Sequence, residues 1–209
     1  MKLFVTPNDS NVIGRSDSES IQNAINYAAN SGIGRVIIPR VNERTGKCIW
    51  DIEEAVILRS EIEIILDNSL LRQADGAFDN VFRSHLLTED AQEPANQVHG
   101  IRIIGRGKAV IDGGVHNGIT ERDYKLNGGK HMSVNNMILL LNTRDFVIEG
   151  ISFEHQRFWA INLIYSEYGR LSNLHFYCEA ENPNLDGIDL RNGCTISSLK
   201  TLRDKRVTI

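Results

Sequence analysis

The chain has 209 residues, 41% hydrophobic and 24% charged, which points to one generous globular domain and away from wholesale disorder. A net charge of −4 supplies no basic field of the kind nucleic-acid binding requires, although a few local arginines can still bind an anion. The three cysteines, Cys48, Cys178 and Cys194, form no CxxC pair, which argues against a disulfide framework or thiolate metal site and fits a reducing compartment.

The start, Met1 to Asp9, contains no apolar run of signal-peptide length, and nothing later reaches the roughly 18 apolar residues of a membrane span. A soluble, cytoplasmic protein with no membrane partner is expected. The first element is an amphipathic helix within residues 16–32. Ile21, Ala24, Ile25, Ala28 and Ala29 recur at i, i+3, i+4, i+7 and i+8 and form one apolar stripe. Ser16 with Glu19 reads as a capping box, and Gly32 is placed to end the helix. A short buried strand follows, Arg35-Val36-Ile37-Ile38-Pro39.

Short apolar strands punctuated by turn residues come next: Ala55 to Leu58, Ile62 to Leu66, Ile101 to Ile104, and Val110-Ile111. No second long helix interrupts them, so alternating β/α folds are disfavoured and a β-rich architecture is left. Gly32-Ile33-Gly34 and Gly105-Arg106-Gly107 lack the third glycine and following helix of a dinucleotide fingerprint and read as turns. The histidines, His85, His99, His116, His131, His155 and His175, have no zinc-site spacing, and neither a metal nor a cofactor is expected.

The later half repeats. Met137-Ile138-Leu139-Leu140-Leu141 aligns with Ala160-Ile161-Asn162-Leu163-Ile164 at an offset of 23 (160 − 137), as do Ile148 with Leu171, Ile151 with Leu174 and Phe153 with Phe176. A fixed period in this range marks stacked structural units. Ile161-Asn162-Leu163 then aligns with Ile188-Asp189-Leu190 at an offset of 27 (188 − 161), the extra residues falling in the polar turn Glu179-Ala180-Glu181-Asn182-Pro183. Ile138, Ile161 and Ile188 form one inward column, and Leu140, Leu163 and Leu190 another. Strand alternation puts Leu139, Asn162 and Asp189 on the outer face.

Together these motifs resemble a known family. The helix with Arg35–Pro39, then Ile62 to Leu71, then Ile103-Ile104-Gly105-Arg106-Gly107 running into Ile111-Asp112-Gly113-Gly114, resembles the N-terminal part of pectin-active β-helix proteins. Phe153 to Trp159 with Ile161-Asn162-Leu163 looks like the coil before the active site of polygalacturonase-like proteins, glycoside hydrolase family 28. Asn184-Leu185-Asp186-Gly187-Ile188-Asp189 is similar to that family's Asn-Thr-Asp-Gly-Ile/Phe-Asp signature, with Leu185 in place of Thr. The resemblance implies an all-β fold: a right-handed parallel β-helix with an N-terminal capping α-helix. A single domain over 1–209 is expected, with helix 16–32, coils 33–194 and a divergent or truncated tail 195–209.

The resemblance also implies inverting hydrolysis of pectin or a related uronic-acid polysaccharide. Such chemistry takes two carboxyl groups, an acid on the leaving oxygen and a base that activates water. Asp186 and Asp189 are the candidate catalytic residues; the resemblance implies that Asp186 helps to activate the water and that the acid comes from a further pair of aspartates, which this chain lacks. Asn184, Asn162, Arg191 and Arg157 are candidate substrate-binding residues, since planar guanidinium groups pair with uronate carboxylates. Trp159 is positioned to stack on a sugar ring or simply to pack. The alternative for Asn184 and Asp186 is that they cap a turn beside Gly187.

The family pattern continues with an Asp-Asp pair, Gly-His-Gly and then Arg-x-Lys; the first two are absent here, and Arg203-Asp204-Lys205 in the tail, with no Gly-His-Gly before it, is not an Arg-x-Lys of that kind. An incomplete, inactive copy is therefore the expectation, with Ile196 and Leu199 continuing the Leu171 and Leu174 columns. Self-association through the exposed C-terminal coil is also expected. Two other functions stay open: a pectate-lyase-type eliminase, which would need a cluster of acidic calcium ligands, and a non-catalytic, glycan-binding or structural β-solenoid.

Overall fold

A computed structural model describes residues 3–84, 88–114, 135–177 and 185–205. Helix α1 spans Asp17–Asn30, and Ser16 caps it, its Oγ accepting from the Glu19 N–H at 3.0 Å. The reciprocal half of the expected box is shifted by one residue. Glu19 Oε2 accepts from the Arg15 N–H at 2.7 Å rather than from Ser16, and that bond, with the Arg15 guanidinium, holds the carboxyl below its ordinary pKa. Ile21, Ala24, Ile25 and Ala28 are fully buried against the first strands, and Gly32 lies beyond the helix end with φ 71°.

The chain then winds through a series of passes. The first contributes β1 (Arg35–Pro39), β2 (Trp50–Ile52) and β3 (Val56–Ile57). The second adds β4 (Glu63–Asp67), β5 (Leu70–Gln73), β6 (Phe82–Arg83) and β7 (Val98–His99). The third adds β8 (Arg102–Arg106), β9 (Val110–Asp112), β10 (Ile138–Leu141) and β11 (Thr143–Arg144). The fourth adds β12 (Val147–Glu149), β13 (Ser152–Glu154) and β14 (Ile161–Ile164). Then come the long β15 (Gly169–Tyr177), β16 (Ile188–Arg191) and β17 (Ile196–Lys205).

Each pass adds strands to the same columns, and every named strand pair is parallel. β1, β4, β8, β12 and β15 are successive neighbours; so are β2, β5, β9, β13 and β15, and β3, β6, β10, β14 and β16. β15 runs through two columns and joins them into one 10-stranded sheet. The molecule is thus mostly β, its parallel strands forming a curled sheet with one N-terminal helix, an arrangement consistent with a β-solenoid.

The offsets of 23 and 27 are the observed registers. Ile138 pairs with Ile161 and Ile161 with Ile188, Ile148 with Leu171, and Phe153 with Phe176. Stacked apolar side chains fill the space the sheets enclose, and the Phe153 and Phe176 rings lie 5.2 Å apart and nearly parallel. One inward position departs from expectation. Leu190 is 53% exposed, whereas Leu140 and Leu163 below it are fully buried, because β16 is the edge strand of its sheet.

The tail also differs from expectation. Residues 196–205 form a regular strand along β15, in which Leu199 pairs with Leu171 but Ile196 lies beside Gly169, and Leu202 takes the place opposite Leu174. The observed offset is 28 (199 − 171) where the expected one is 25 (196 − 171), so the strand sits three residues along from the expected alignment.

The bends between the two halves of the large sheet share one conformation. Asn68, Gly107, Gly150 and Asn173 all adopt left-handed φ values of 52°, 62°, 72° and 52°. Asn and Gly are the residues that tolerate this region, so the corner recurs at the same place in four successive passes, beginning with the second. At its base the Asn68 Oδ1 accepts the Lys108 N–H at 3.2 Å.

Candidate functional site

Strand alternation on β3, β6, β10, β14 and β16 puts Ile57, Arg83, Leu139, Asn162 and Asp189 in one outward column. Parity fixes this face, but the face is not uniformly open. Leu139 and Asn162 are buried, although neither belongs to the apolar core. Asn162 Nδ2 donates to Asn136 Oδ1 at 2.8 Å, and the Asn136 carbonyl accepts from Asn80 Nδ2 at 2.7 Å. Among the described residues, Asn136 Nδ2, Asn162 Oδ1 and Asp189 Oδ2 are buried without a hydrogen-bond partner. Native proteins keep few such atoms.

Asp189 is the side chain of this row that reaches solvent, at 29% exposure. Burial pushes its carboxyl pKa up; the Arg191 guanidinium opposes this, and the charge of Asp186 adds to it. Arg191 Nε lies 3.9 Å from Asp189 Oδ2, too far for a hydrogen bond. Its guanidinium sits 5.4 Å from the Trp159 ring centroid, and Trp159 packs on Phe158 with centroids 4.2 Å apart. Trp159 therefore packs and also supports a cation beside the carboxylates.

Asp186 precedes β16 and is partly exposed, and its backbone carbonyl accepts from the Ala160 N–H at 2.9 Å. Gly187 has a steric reason to be glycine, since a Cβ there would come within 2.9 Å of the Phe176 ring. Gln156, buried beneath, donates to the Leu185 carbonyl at 2.8 Å. The structure thus brings Asp186, Asp189, Arg191 and Trp159 together, with Asn162 enclosed next to them. The Arg157 guanidinium donates to the Gly114 carbonyl, just beyond β9. Asn184 and Cys178 lie outside the described residues, as do His85, His116, His131 and the turn Glu179–Pro183.

Sequence reasoning missed Asn136, whose amide completes the enclosed face. The available signal was the doublet Asn135-Asn136 just before an apolar strand. Among the described residues, no three of His, Cys, Asp or Glu converge as metal ligands. No described helix is long and apolar enough to cross a membrane.

Two thiols flank this architecture differently. Cys48 is exposed, whereas the Cys194 Sγ donates to the Leu163 carbonyl at 3.1 Å and burial pushes its pKa up. The thiolate is the reactive form, so neutral-pH alkylation is expected to mark Cys48 well before Cys194, as read by peptide mapping. Equal labelling rates at the two positions would contradict this.

No protein-family model matches the chain, and no curated protein matches it. Solved structures do. A candidate glycosyl hydrolase of Parabacteroides merdae superposes with a TM-score of 0.66 at 14% identity, covering 98% of both chains. PfbA, a surface adhesin of Streptococcus pneumoniae, is similar in two structures, with TM-scores of 0.63 and 0.61 at 22% and 21% identity. Each covers 88% of this chain, which spans only 42% and 43% of those adhesin chains. At these identities the likeness is one of fold.

Proposed function

We propose that this chain is a right-handed parallel β-helix that binds an acidic polysaccharide of the pectin type and, in a departure from the incomplete, inactive copy expected from the sequence, hydrolyses it with inversion through Asp186 and Asp189 alone. The right hand follows from the parallel crossovers, which take that hand in about 98% of cases. The observation that carries the function is the half-buried Asp189 carboxyl, raised in pKa, beside Asp186 and the Trp159-supported Arg191. A carboxyl whose pKa burial raises suits the acid, and Asp186 beside it is left to take the proton of the attacking water.

In the step envisaged, a water oxygen bonds to the anomeric carbon and gives its proton to Asp186. The glycosidic C–O bond breaks, and the leaving oxygen takes the proton of Asp189. Arg191 pairs with a uronate carboxylate. The test is incubation with polygalacturonate. New reducing ends without the ultraviolet absorbance of an unsaturated product support hydrolysis; calcium-dependent absorbance would show elimination instead. Binding without either product would leave a glycan-binding solenoid, a reading in keeping with the fold shared with an adhesin.

Self-association belongs to the same proposal. Leu190 and Leu199 are 53% and 46% exposed on β16 and β17, an apolar surface beside unpaired strand edges. Light scattering is expected to show mass rising with concentration, and Leu190→Lys with Leu199→Lys to suppress the rise. A constant monomer mass at high concentration counts against it.

A further inference from the structure

On the opposite part of the stack, the β5–β9–β13 column carries a second cleft of about 530 Å³. Its floor is an outward ladder, Arg72 beside Asp112 beside Glu154, one residue from each successive pass. Asp112 is buried and is the hub. Its Oδ2 lies 3.1 Å from Arg72 Nε, and its Oδ1 accepts from the Gly114 N–H at 2.9 Å and meets His155 Nδ1 at 3.0 Å. A carboxylate on Nδ1 fixes the proton there and leaves Nε2 as an acceptor for a ligand hydroxyl.

The backbone is committed to this arrangement. His155 holds a left-handed φ of 53°, and Gly113 must be glycine, since a Cβ would come 2.2 Å from the His155 carbonyl oxygen. Two further observations point to a ligand rather than to a surface network. Ser69, 1% exposed, lines the cleft with a buried Oγ that has no partner among the described residues. Arg40 and Lys108 also line it, both exposed, and neither forms an ion pair among the described residues.

We propose that this cleft is a second binding site and that it takes an acidic saccharide, a sugar chain bearing carboxylates. Arg40 and Lys108 supply charge for the carboxylates. Glu154, the His155 Nε2 and the Ser69 hydroxyl supply partners for ring hydroxyls. A compact phosphate would gain from the cations but would be repelled by Glu154, so the mixed lining favours a polyhydroxylated anion. The cleft also crosses three strands, about 10 Å at ordinary strand spacing, which suits an extended ligand. The site stands independently of the Asp189 reading.

The test is an NMR titration of the full chain with trigalacturonate, following the His155 ring signals, which His155→Gln identifies. The signals are expected to shift and saturate, to respond at least tenfold more weakly in Lys108→Glu and Arg40→Glu, and to respond unchanged in Asp189→Asn. Lys108 and Arg40 are exposed, so circular dichroism is expected to show both variants folded. The proposal is overturned if the signals do not move, if both charge reversals leave the affinity intact, or if the fully methyl-esterified trimer or inorganic phosphate binds as well as trigalacturonate. Because Asp189→Asn addresses only the other face, failure here and failure of hydrolysis are read separately.

Discussion

Asp189→Asn is expected to lower the rate of reducing-end release from polygalacturonate by roughly 10²–10⁴-fold, the contribution typical of a positioned proton donor. The amide keeps the shape of the side chain beside Arg191 and Asn162 but has no proton to give a leaving oxygen. Binding of the substrate should survive, so the loss appears in kcat. The pH profile carries the same signature. Burial raises the Asp189 pKa, and the rate should fall as pH rises through that value, because the acid form is lost. Asp189→Asn should erase that limb, whereas Asp186→Asn should depress the rate and leave the limb. A variant with full activity and an unchanged profile would remove Asp189 from the chemistry.

Stability follows the same sign. A carboxyl whose folded pKa exceeds its unfolded value binds its proton more tightly when folded. Its contribution is complete at low pH and disappears as pH rises through the folded value. Thermal unfolding of the wild type against Asp189→Asn should therefore diverge toward high pH, with the wild type losing ground.

Phe153→Ala is expected to destabilise the fold by about 3–5 kcal/mol, the cost of removing a buried aromatic and leaving a cavity. Phe153 is fully buried, pairs with Ile111 on one side and Phe176 on the other, and stacks its ring on the latter. For a chain of this size each kcal/mol moves the melting temperature by about 2–4 °C. Tyr27→Ala, on the exposed side of α1, should stay within about 0.5 kcal/mol. Comparable losses in calorimetry for the two variants would mean that the stacked column is not where the fold is held.

Much of this architecture can be read from residue spacing. Side chains in parallel, in-register strands sit beside their own kind, so Ile138, Ile161 and Ile188 repeat because they occupy one site in successive passes. Parity likewise sends Asn162 and Asp189 away from the core. Parity says nothing of what lies over a face, and this is why Asn162 was expected in the open and is found enclosed with Asn136. Edge effects are equally silent in the local pattern: Leu190 has the inward phase of Leu163 but belongs to the edge strand of its sheet, and β17 lies three residues along β15 from the expected alignment, so that Leu199 and Leu202 face Leu171 and Leu174.

The Arg72–Asp112–His155 cluster was hidden for another reason. Its members come from three different passes, and Ile111-Asp112-Gly113-Gly114 viewed alone is an ordinary turn. Only the stacking of β5, β9 and β13 makes neighbours of residues so far apart in the chain. Catalytic candidates on a single strand are visible locally; sites assembled across passes are not.

The left-handed corners at Asn68, Gly107, Gly150 and Asn173 act as punctuation that separates two kinds of evolutionary freedom. Between one corner and the next the chain can be long, as between Gly107 and Gly150, or short, as between Gly150 and Asn173, while the strands on either side keep their alignment. Recognition surfaces can therefore be rewritten by lengthening or exchanging the segments between corners, without renegotiating the core.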